Sequence, residues 1–553
     1  MVAGLSSLAL ALAVATAARH SSASPVQLHA RNNGGSPPSA VISNGTVEGV
    51  LLPTFNQDAF LGIPYAQPPV GDLRLRRARS LEAPFEGGKV AATSYSPFCP
   101  GIGADNYGYE MSEDCLTLNI IRPAGVAEDD KLPVGVWVHG GAFSMGGSGD
   151  IRYNGSYVVQ RSVEMEKPIM FVSVNYRVSS LGFMSSNELR AEGNVNLGLY
   201  DLRLALGWLQ DNLEAFGGDP SKVTFWGESA GAAAISYNLL SYGLNSTTLF
   251  RSAILESGSP TGRPLATAEV IQPRFEQVVA NAGCNGTADA LACLRGLSLE
   301  AFNASAAAFS WNPVVDGGII PEYSSDSIRR NAFVKVPLLI GTNTDEGTAF
   351  ATKGIETDDE LAASLQAYYP KLTNSSTARL LELYPNDPSE GSPFGSGDGL
   401  VSTGVQDKRS NALTGDLRYI AGKRLLAEKY AAAGQPVFSY RFDQPAENTT
   451  LESGVPHFQE VAYVFGVPYK TANTLGTRPG DKELSRLMQS QWISFIHDGT
   501  PNNHGIKDAP KWPDYRSSPT NFVYTRQQST VEKDDFRQGG IDYIKGLGWE
   551  LSA

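Results

Sequence analysis

One serine in this sequence lies in a setting that suits a nucleophile. Ser229 is the centre of Gly227-Glu-Ser-Ala-Gly231, which matches the pattern G-x-S-x-G. Residues 223–226 before it predict a strand, and the small residues 230–240 after it predict a helix. A sharp strand–turn–helix lifts the serine Oγ above the edge of a sheet, and flanking glycines avoid clashes of a Cβ with the neighbouring strand and helix. We therefore predict that Ser229 is a catalytic nucleophile.

A serine hydroxyl needs a general base, which is most often histidine. The chain has six histidines. His20 and His29 lie near the N-terminus, and His139 belongs to a glycine-rich turn. His497 ends a helix-like segment, and His504 lies in a polar loop. His457 follows the late predicted strand 437–442 in Gly454-Val-Pro-His-Phe-Gln-Glu460, and the chain order serine, acid, histidine requires a histidine after both partners. These considerations select His457 as the base.

The acid of such a site should lie between the serine and the histidine in the chain. Asp345 and Glu346 follow directly after the predicted strand 336–340. A carboxylate at the carboxyl end of a strand can reach a site at that edge of the sheet, where it would hold the imidazole in one tautomer and stabilise imidazolium. The residues by themselves leave both carboxylates open.

A second glycine-rich turn could supply hydrogen-bond donors. His139-Gly-Gly-Ala-Phe143 follows the predicted strand 134–138. Consecutive small residues allow backbone N–H groups to converge on one point, where they would stabilise the oxyanion of a tetrahedral intermediate. The N–H of Ala230, just after the nucleophile, would be a further donor.

Alternating strands and helices must position these residues. Five leucines recur at helical spacing (Leu199, Leu202, Leu206, Leu209 and Leu213), which indicates one apolar helix face. Continuous apolar runs predict buried strands at 134–138, 169–174, 223–226, 253–255, 336–340 and 437–442. The alternation predicts an α/β fold with a large, mostly parallel central sheet covered by helices. Residues 375–415, rich in Pro, Gly, Ser and Asp, are interpreted as an insertion or long surface loop.

Composition and the N-terminus bear on partners and location. The formal net charge is −13 over 553 residues, and no long basic run occurs, which argues against nucleic acid as a partner. Residues 1–18 contain an apolar stretch too short to span a bilayer and are predicted to be a signal peptide, followed by a disordered spacer at 19–40 and one catalytic domain at 41–553. We predict a secreted protein with no stable membrane anchor.

Cysteines and glycosylation sequons agree with export. The four cysteines, which allow three pairings, are expected to form disulfides in an exported chain, and no Cys/His cluster indicates a metal. Seven N-x-[ST] sequons are candidate glycosylation sites: Asn44, Asn154, Asn245, Asn285, Asn303, Asn374 and Asn448.

The motifs together resemble one family. The segment 216–231, which contains Gly227-Glu-Ser-Ala-Gly231, resembles the signature of type-B carboxylesterases, the family of cholinesterases and fungal lipases, and 113–119 resembles its second signature. The resemblance implies an α/β-hydrolase fold, the acid Glu346 rather than Asp345, and oxyanion donors at Gly141, Ala142 and Ala230. It also implies the disulfides Cys99–Cys115 and Cys284–Cys293.

One loop departs from the family. Only residues 100–114, polar and acidic, separate Cys99 from Cys115, where family lipases carry a longer amphipathic lid and cholinesterases a choline-stacking tryptophan. We expect an open site without strong interfacial activation and without choline specificity.

The resemblance implies a cofactor-independent hydrolase of small-molecule esters that forms an acyl-enzyme, and the short loop favours soluble short- to medium-chain substrates. The alternatives are a triacylglycerol or sterol-ester lipase and a non-catalytic adhesion or binding member of the same fold.

Overall fold

The computed structural model describes residues 37–241, 249–397, 403–468 and 475–552. The predicted signal peptide 1–18, most of the predicted spacer and the sequon at Asn245 lie outside the described residues. The first strand begins at Ser39 and pairs with 45–48, so it starts two residues before the predicted domain boundary at residue 41.

The described residues contain sixteen strands. In chain order they are β1 (Ser39–Ile42), β2 (Gly45–Glu48), β3 (Val50–Leu52), β4 (Gln57–Pro64), β5 (Lys89–Ala91), β6 (Thr117–Pro123), β7 (Leu132–Val138), β8 (Met170–Val174), β9 (Gly218–Glu228), β10 (Ser252–Glu256), β11 (Ala266–Thr267), β12 (Val314–Val315), β13 (Leu338–Asn343), β14 (Val437–Phe442), β15 (Thr520–Tyr524) and β16 (Thr530–Lys533).

Eleven of these strands form the central sheet, in the order β16-β15-β14-β13-β10-β9-β7-β8-β6-β4-β3. The strands from β15 to β8 in this order run parallel, and antiparallel strands complete both edges. All six predicted strands are present with boundaries shifted by up to five residues. The prediction of a large, mostly parallel sheet is confirmed.

The described α-helices are α1 (Ser156–Glu164), α2 (Ser179–Phe183), α3 (Asn187–Ala191), α4 (Leu197–Asn212), α5 (Ala230–Leu240), α6 (Ala268–Asn281), α7 (Ala290–Arg295), α8 (Leu299–Ala306), α9 (Ser324–Arg329), α10 (Asp358–Tyr368), α11 (Asn374–Leu383), α12 (Asp407–Gly415), α13 (Ala421–Ala432), α14 (Val461–Phe465), α15 (Asp481–Asp498) and α16 (Gln538–Leu547). Several of them pack against the central sheet, among them α1, α4, α5, α13 and α15.

Alternate residues of the central strands face two different apolar cores. In β7, Val136 and Val138 pack in the core that contains the leucine face of α4, whereas Trp137 packs in the core that contains Trp492 of α15. A strand buried on both faces is continuously apolar, which is why the apolar runs in the sequence indicate these strands. Helices on both faces follow from these two cores.

The prediction of a surface loop at 375–415 is wrong for much of the segment. Residues 374–383 and 407–415 are the helices α11 and α12, and every residue of α12 is buried. The polar composition of this segment led to a wrong prediction, because its charged side chains are hydrogen-bonded inside the protein. The Lys408 ammonium donates to Ser396 Oγ and Gly397 O, and the Arg409 guanidinium donates to Tyr384 O and Asp358. Buried charges of this kind are tolerated only when hydrogen-bonded.

The cysteines, the sequons and the membrane prediction can be compared with the described residues. Cys99 is bonded to Cys115 and Cys284 to Cys293, the two pairs that the resemblance implied. Three sequon asparagines are exposed (Asn285, Asn374 and Asn448), and two are partly exposed (Asn154 and Asn303). Asn44 is buried and its amide donates to Leu81 O and Ala83 O, so it is the least accessible of the described acceptors. No helix among the described residues is long and apolar enough to cross a bilayer.

Candidate active site

Ser229 occupies the sharp turn between β9 and α5, as predicted. Its backbone has φ 55° and ψ −120°, outside the regions that L-residues ordinarily adopt. The Ser229 N–H donates to Glu256 O at 2.9 Å, which ties the turn to the end of the neighbouring strand β10. Strain at one residue persists only where the surroundings fix it, and here it leaves the Ser229 side chain partly exposed at the carboxyl edge of the sheet.

The flanking glycines are required by close packing. A Cβ built on Gly231 would lie 2.1 Å from Val138 O, and one built on Gly227 would lie 2.8 Å from the same oxygen. The backbone of α5 thus approaches the end of β7 more closely than any side chain permits.

Gly231→Ala is therefore expected to lower stability by about 2–4 kcal/mol, because the rigid backbone of β7 must move. Gly207→Ala is the matched control, since Gly207 lies inside α4 and a Cβ added there would have no atom within 4 Å. This control should be neutral or stabilising by up to about 1 kcal/mol. Urea unfolding midpoints of the two variants measure the difference. Equal midpoints would show that the close approach at Gly231 does not constrain the fold.

Glu346, the carboxylate that the family resemblance implied, lies next to His457. His457 Nδ1 lies 2.6 Å from Glu346 Oε2. Glu346 is fully buried just beyond the carboxyl end of β13, and its Oε1 accepts hydrogen bonds from Asn343 N at 2.7 Å and Ser257 Oγ at 2.5 Å. These bonds fix the carboxylate and direct its other oxygen to the imidazole. The arrangement places the Nδ1 proton against Glu346 and leaves Nε2 as the free base.

Asp345, the competing carboxylate, points away from the histidine. Its Oδ1 accepts from Ser392 Oγ at 2.8 Å and Phe394 N at 2.9 Å, and its Oδ2 accepts from Val455 N at 2.9 Å. These bonds hold the loop before His457 and the segment around 392–394. The geometry therefore gives Asp345 an anchoring position and brings Glu346 to the imidazole.

Nε2 of His457 faces the residue that precedes the nucleophile. His457 Nε2 lies 3.1 Å from Glu228 Oε1, although the two groups are not aligned for a hydrogen bond. Among the described residues, Ser229 Oγ donates no hydrogen bond to His457. Hydrogen bonds of catalytic residues often tighten only with substrate bound. Burial, reinforced by the negative charges of Glu460, Glu346 and Glu256, raises the pKa of Glu228 well above its usual value, so its carboxyl group can stand neutral beside the imidazole.

A buried polar network that the sequence did not reveal lies behind Glu346. Ser257 Oγ also donates to Glu460 Oε1 at 3.2 Å, and Asn343 Nδ2 donates to Glu460 Oε2 at 2.7 Å. Burial, then the charge of Glu346, raises the pKa of Glu460 to about 7, against the opposing effect of His457. Ser257 directly follows β10. Its place at the carboxyl edge of the sheet was the sequence feature that could have indicated a residue of the site.

The predicted oxyanion turn lies beside the elbow. Gly141, Ala142 and Phe143 have φ values of 88°, 60° and 64°, and a Cβ on Gly141 would lie 2.2 Å from Met145 O. Among the described residues, the N–H groups of Gly141, Ala142 and Ala230 donate no hydrogen bond. They are therefore free to bind a substrate oxygen. Ala230 is also the first residue of α5, where the helix dipole favours negative charge.

His139 contacts the backbone of this turn. Its ring is buried, Nδ1 is 3.0 Å from Gly140 O, and Tyr176 Oη donates to His139 O at 3.0 Å. Burial lowers the pKa of His139 to about 4. At neutral pH the ring is uncharged and shapes the turn rather than exchanging protons with substrate.

Comparison with known proteins shows which family this chain resembles over most of its length. The model of the carboxylesterase family matches residues 36–541. The chain is 31% identical to the secreted triacylglycerol lipase LIP1 of Gibberella zeae, over 91% of this chain and 89% of that one. It is 36% identical to Lipase 1 of Geotrichum candidum, over 91% and 94% of the two chains. Among solved structures, Aspergillus niger EstA matches with a TM-score of 0.83 and 28% identity, over 94% of this chain and 99% of that one.

The chain, with its α/β-hydrolase fold and the family match over most of its length, belongs to the carboxylesterase family and is a carboxylic ester hydrolase.

Proposed function

We propose that the protein hydrolyses soluble short- to medium-chain carboxylic esters through an acyl-enzyme on Ser229. The observation that carries this proposal is the convergence of Ser229, His457 with Glu346, and three free N–H groups at one edge of the sheet. These groups support the proposal because acyl transfer needs a nucleophile, a base held by an acid, and N–H donors for the oxyanion.

In the first half-reaction, His457 Nε2 accepts the proton of Ser229 as Oγ attacks the ester carbonyl carbon. The carbonyl oxygen becomes an oxyanion held by the N–H groups of Gly141, Ala142 and Ala230. Collapse of this intermediate breaks the carbon–oxygen bond to the alcohol, and His457 returns its proton to the leaving oxygen. Glu346 stabilises the transient imidazolium.

In the second half-reaction, water replaces the alcohol. His457 removes a proton from water as its oxygen attacks the acyl carbon, the oxyanion forms again in the same turn, and Ser229 leaves with the proton from His457. The products are one acid and one alcohol for each water consumed, and no cofactor is needed.

The loop between Cys99 and Cys115 supports an open site for soluble esters. The Ile102 N–H donates to Ser144 O at 2.7 Å, and the Gly146 N–H donates to Asn106 Oδ1 at 3.0 Å, which fastens the loop to the oxyanion turn. The Asp105 carboxylate forms an ion pair with Arg152 at 2.7 Å. A loop held at several points by backbone and charge contacts is poorly suited to swing as an apolar lid.

We expect the rate to follow a simple saturation curve as p-nitrophenyl butyrate passes its solubility limit, because no lid must open at an interface. The measurement is initial rate against total ester concentration, with and without emulsifier. A relative of this chain is named a triacylglycerol lipase, which supports the lipase alternative. A sharp rise in rate at the solubility limit would favour that alternative and contradict our proposal.

A panel of p-nitrophenyl esters of graded acyl length tests the substrate class. The proposal requires the highest kcat/KM for short to medium acyl chains and no turnover by Ser229→Ala. A maximum at long chains on emulsions would favour a lipase, and absence of turnover on every ester would favour the non-catalytic alternative.

We also propose that the protein is exported. Relatives are named secreted lipases, and two disulfides are formed, which persist in oxidising compartments. N-terminal sequencing of the protein recovered from the medium of a eukaryotic host tests both export and removal of residues 1–18.

A further inference from the structure

The loop that joins β10 to β11, residues 257–265, packs closely on two parts of the site. At its start, a Cβ built on Gly258 would lie 2.5 Å from Ser229 O. Near its end, a Cβ built on Gly262 would collide with the carbonyl oxygen of Arg418, in the π-helical turn that follows α12. Close backbone packing thus holds this loop against the nucleophile at one end and against the π-helical turn at the other.

The loop carries an arginine whose guanidinium lies among side chains that adjoin the reacting groups. The guanidinium carbon of Arg263 is 5.8 Å from the ring centroid of Phe143, which directly follows the oxyanion donor Ala142. Burial raises the pKa of Tyr419, and the positive charge of Arg263 is the largest influence that opposes this shift. The ring centroid of Tyr419 is 4.6 Å from that of His457. Arg263 therefore lies close both to the oxyanion turn and to a ring that packs on the catalytic base.

The Arg263 guanidinium has donors to spare. Among the described residues it forms no ion pair, and it donates one hydrogen bond, from Nη1 to Asn312 Oδ1 at 3.3 Å. The side chain is partly exposed, so a ligand can reach it. A guanidinium presents five N–H donors in a fork that matches a carboxylate, and a partly buried cation without an anion beside it is costly. The remaining donors point to an anionic group that the substrate supplies.

The reaction determines which part of the ester lies near Arg263. The tetrahedral carbon holds Ser229 Oγ, the oxyanion, the leaving alcohol oxygen and the acyl chain. The alcohol oxygen must lie next to His457 Nε2, which protonates it and which faces Glu228 at 3.1 Å. The acyl chain takes the direction that is left. We assign this direction to the loop 257–265, because the loop packs on Ser229 O and its arginine is next to Phe143, just past the oxyanion donors.

We propose that Arg263 recognises a carboxylate at the far end of the acyl chain, so that the preferred substrates are half-esters of short aliphatic dicarboxylic acids. This inference rests on the proposed function of Ser229 and His457, and it names the acyl group that this function would take. The protein has a formal net charge of −13, so an anionic substrate meets overall repulsion. A cation where the acyl chain ends offsets that repulsion locally.

The test compares monoethyl glutarate with ethyl glutaramate, which differ only in the carboxylate or amide that ends the acyl chain. Arg263→Gln should lower kcat/KM for the carboxylate ester about tenfold relative to the amide ester, because a charge-assisted contact is lost only for the former. The loss should appear in KM, since the contact is the same in the bound substrate and the transition state. Arg263→Lys keeps the charge without the fork and should retain part of the preference. Ethanol release measures the rates.

Arg274→Gln is the control variant. Arg274 is exposed on α6, and its guanidinium donates to Ser310 O at 3.2 Å, two residues before the asparagine that holds Arg263. The change removes the same charge from the same region of the protein. A second pair of esters, 4-acetoxybutyrate and 4-acetoxybutyramide, carries the carboxylate or amide on the alcohol part instead and tests the assignment of the acyl side.

The ratio of kcat/KM for carboxylate and amide esters decides the question. A fall of this ratio in Arg263→Gln that is larger for the glutarate pair than for the acetoxybutyrate pair, with no change in Arg274→Gln, supports the proposal. An unchanged ratio in Arg263→Gln, an equal fall in both variants, or a fall as large for the acetoxybutyrate pair overturns it. If the wild-type enzyme hydrolyses neither ethyl butyrate nor any of these esters, the proposed function itself fails, which is a different outcome.

The wild-type enzyme gives an answer that needs no variant. Its kcat/KM for monoethyl glutarate should exceed that for ethyl glutaramate, and added salt should reduce the excess because it screens the contact between the two charges. Equal values for the two esters, or a preference for the amide, would overturn the proposal.

Discussion

Ser229→Ala is expected to lower kcat for ester hydrolysis by at least about ten-thousandfold, because no other group can form the acyl-enzyme. The residue at the elbow is held with positive φ, which alanine tolerates no worse than serine does, so the fold should persist. Rates on p-nitrophenyl acetate, together with the thermal unfolding midpoint, measure both effects.

Ser236→Ala is the matched control for this substitution. Ser236 lies on the same helix α5, is buried, and donates through Oγ to Ala232 O at 2.8 Å, so the change removes the same hydroxyl away from the elbow. Activity of this variant should stay close to that of the wild type. Near-normal turnover by Ser229→Ala would contradict the assignment of the nucleophile.

Glu346→Gln is expected to lower kcat by about a thousandfold or more, since a neutral amide cannot stabilise imidazolium and can hold the wrong tautomer. The carboxylate uses Oε2 for His457 Nδ1 and Oε1 for Asn343 N and Ser257 Oγ, and an amide has only one acceptor oxygen for these donors. The loss should therefore appear in kcat rather than in binding alone.

Asp345→Asn is the internal comparison, because it makes the same chemical change at the adjacent residue. Asp345 accepts from Ser392, Phe394 and Val455 and does not contact His457, so this variant should lose about 1–3 kcal/mol of stability while retaining most of its kcat. Initial rates and urea unfolding of the two variants are measured together. Comparable losses of kcat in both would contradict the assignment of the acid.

The parts of the site that were predictable are those encoded in short segments. The elbow around Ser229 needs a strand, a tight turn and small residues within about a dozen positions, and all of these are visible in the sequence. His457 followed from its place after a strand and from the settings of the other histidines. The choice of Glu346 required the family resemblance, because two adjacent carboxylates follow the same strand.

The parts that were missed are formed by residues distant in the chain. Glu460, Ser257 and Asn343 contact one another only because β10, β13 and the segment after His457 converge at one edge of the sheet. Phe350 and Tyr419 both pack a ring against His457, at 5.0 and 4.6 Å, although they are far apart in the chain. No short sequence pattern predicts such contacts.

The prediction for the segment 375–415 is wrong for a related reason. Its helix α12 is polar in sequence and buried in the structure, because Asp407 accepts from Ile355 N and Thr403 Oγ1, and Lys408 and Arg409 are paired as well. Composition indicates how often charged residues are exposed, and it cannot identify those whose partners lie elsewhere in the chain. This helix leads directly into the turn at Asp416–Ile420, where the ring of Tyr419 packs against His457.

The most direct test of the account is covalent labelling of the folded enzyme with a fluorophosphonate, followed by intact-mass and peptide mass spectrometry. The account predicts one label per chain, located on the peptide that contains Ser229, together with full loss of esterase activity and no labelling of Ser229→Ala. Labelling at another residue that accompanies loss of activity, or full inactivation with Ser229 unmodified, would contradict it.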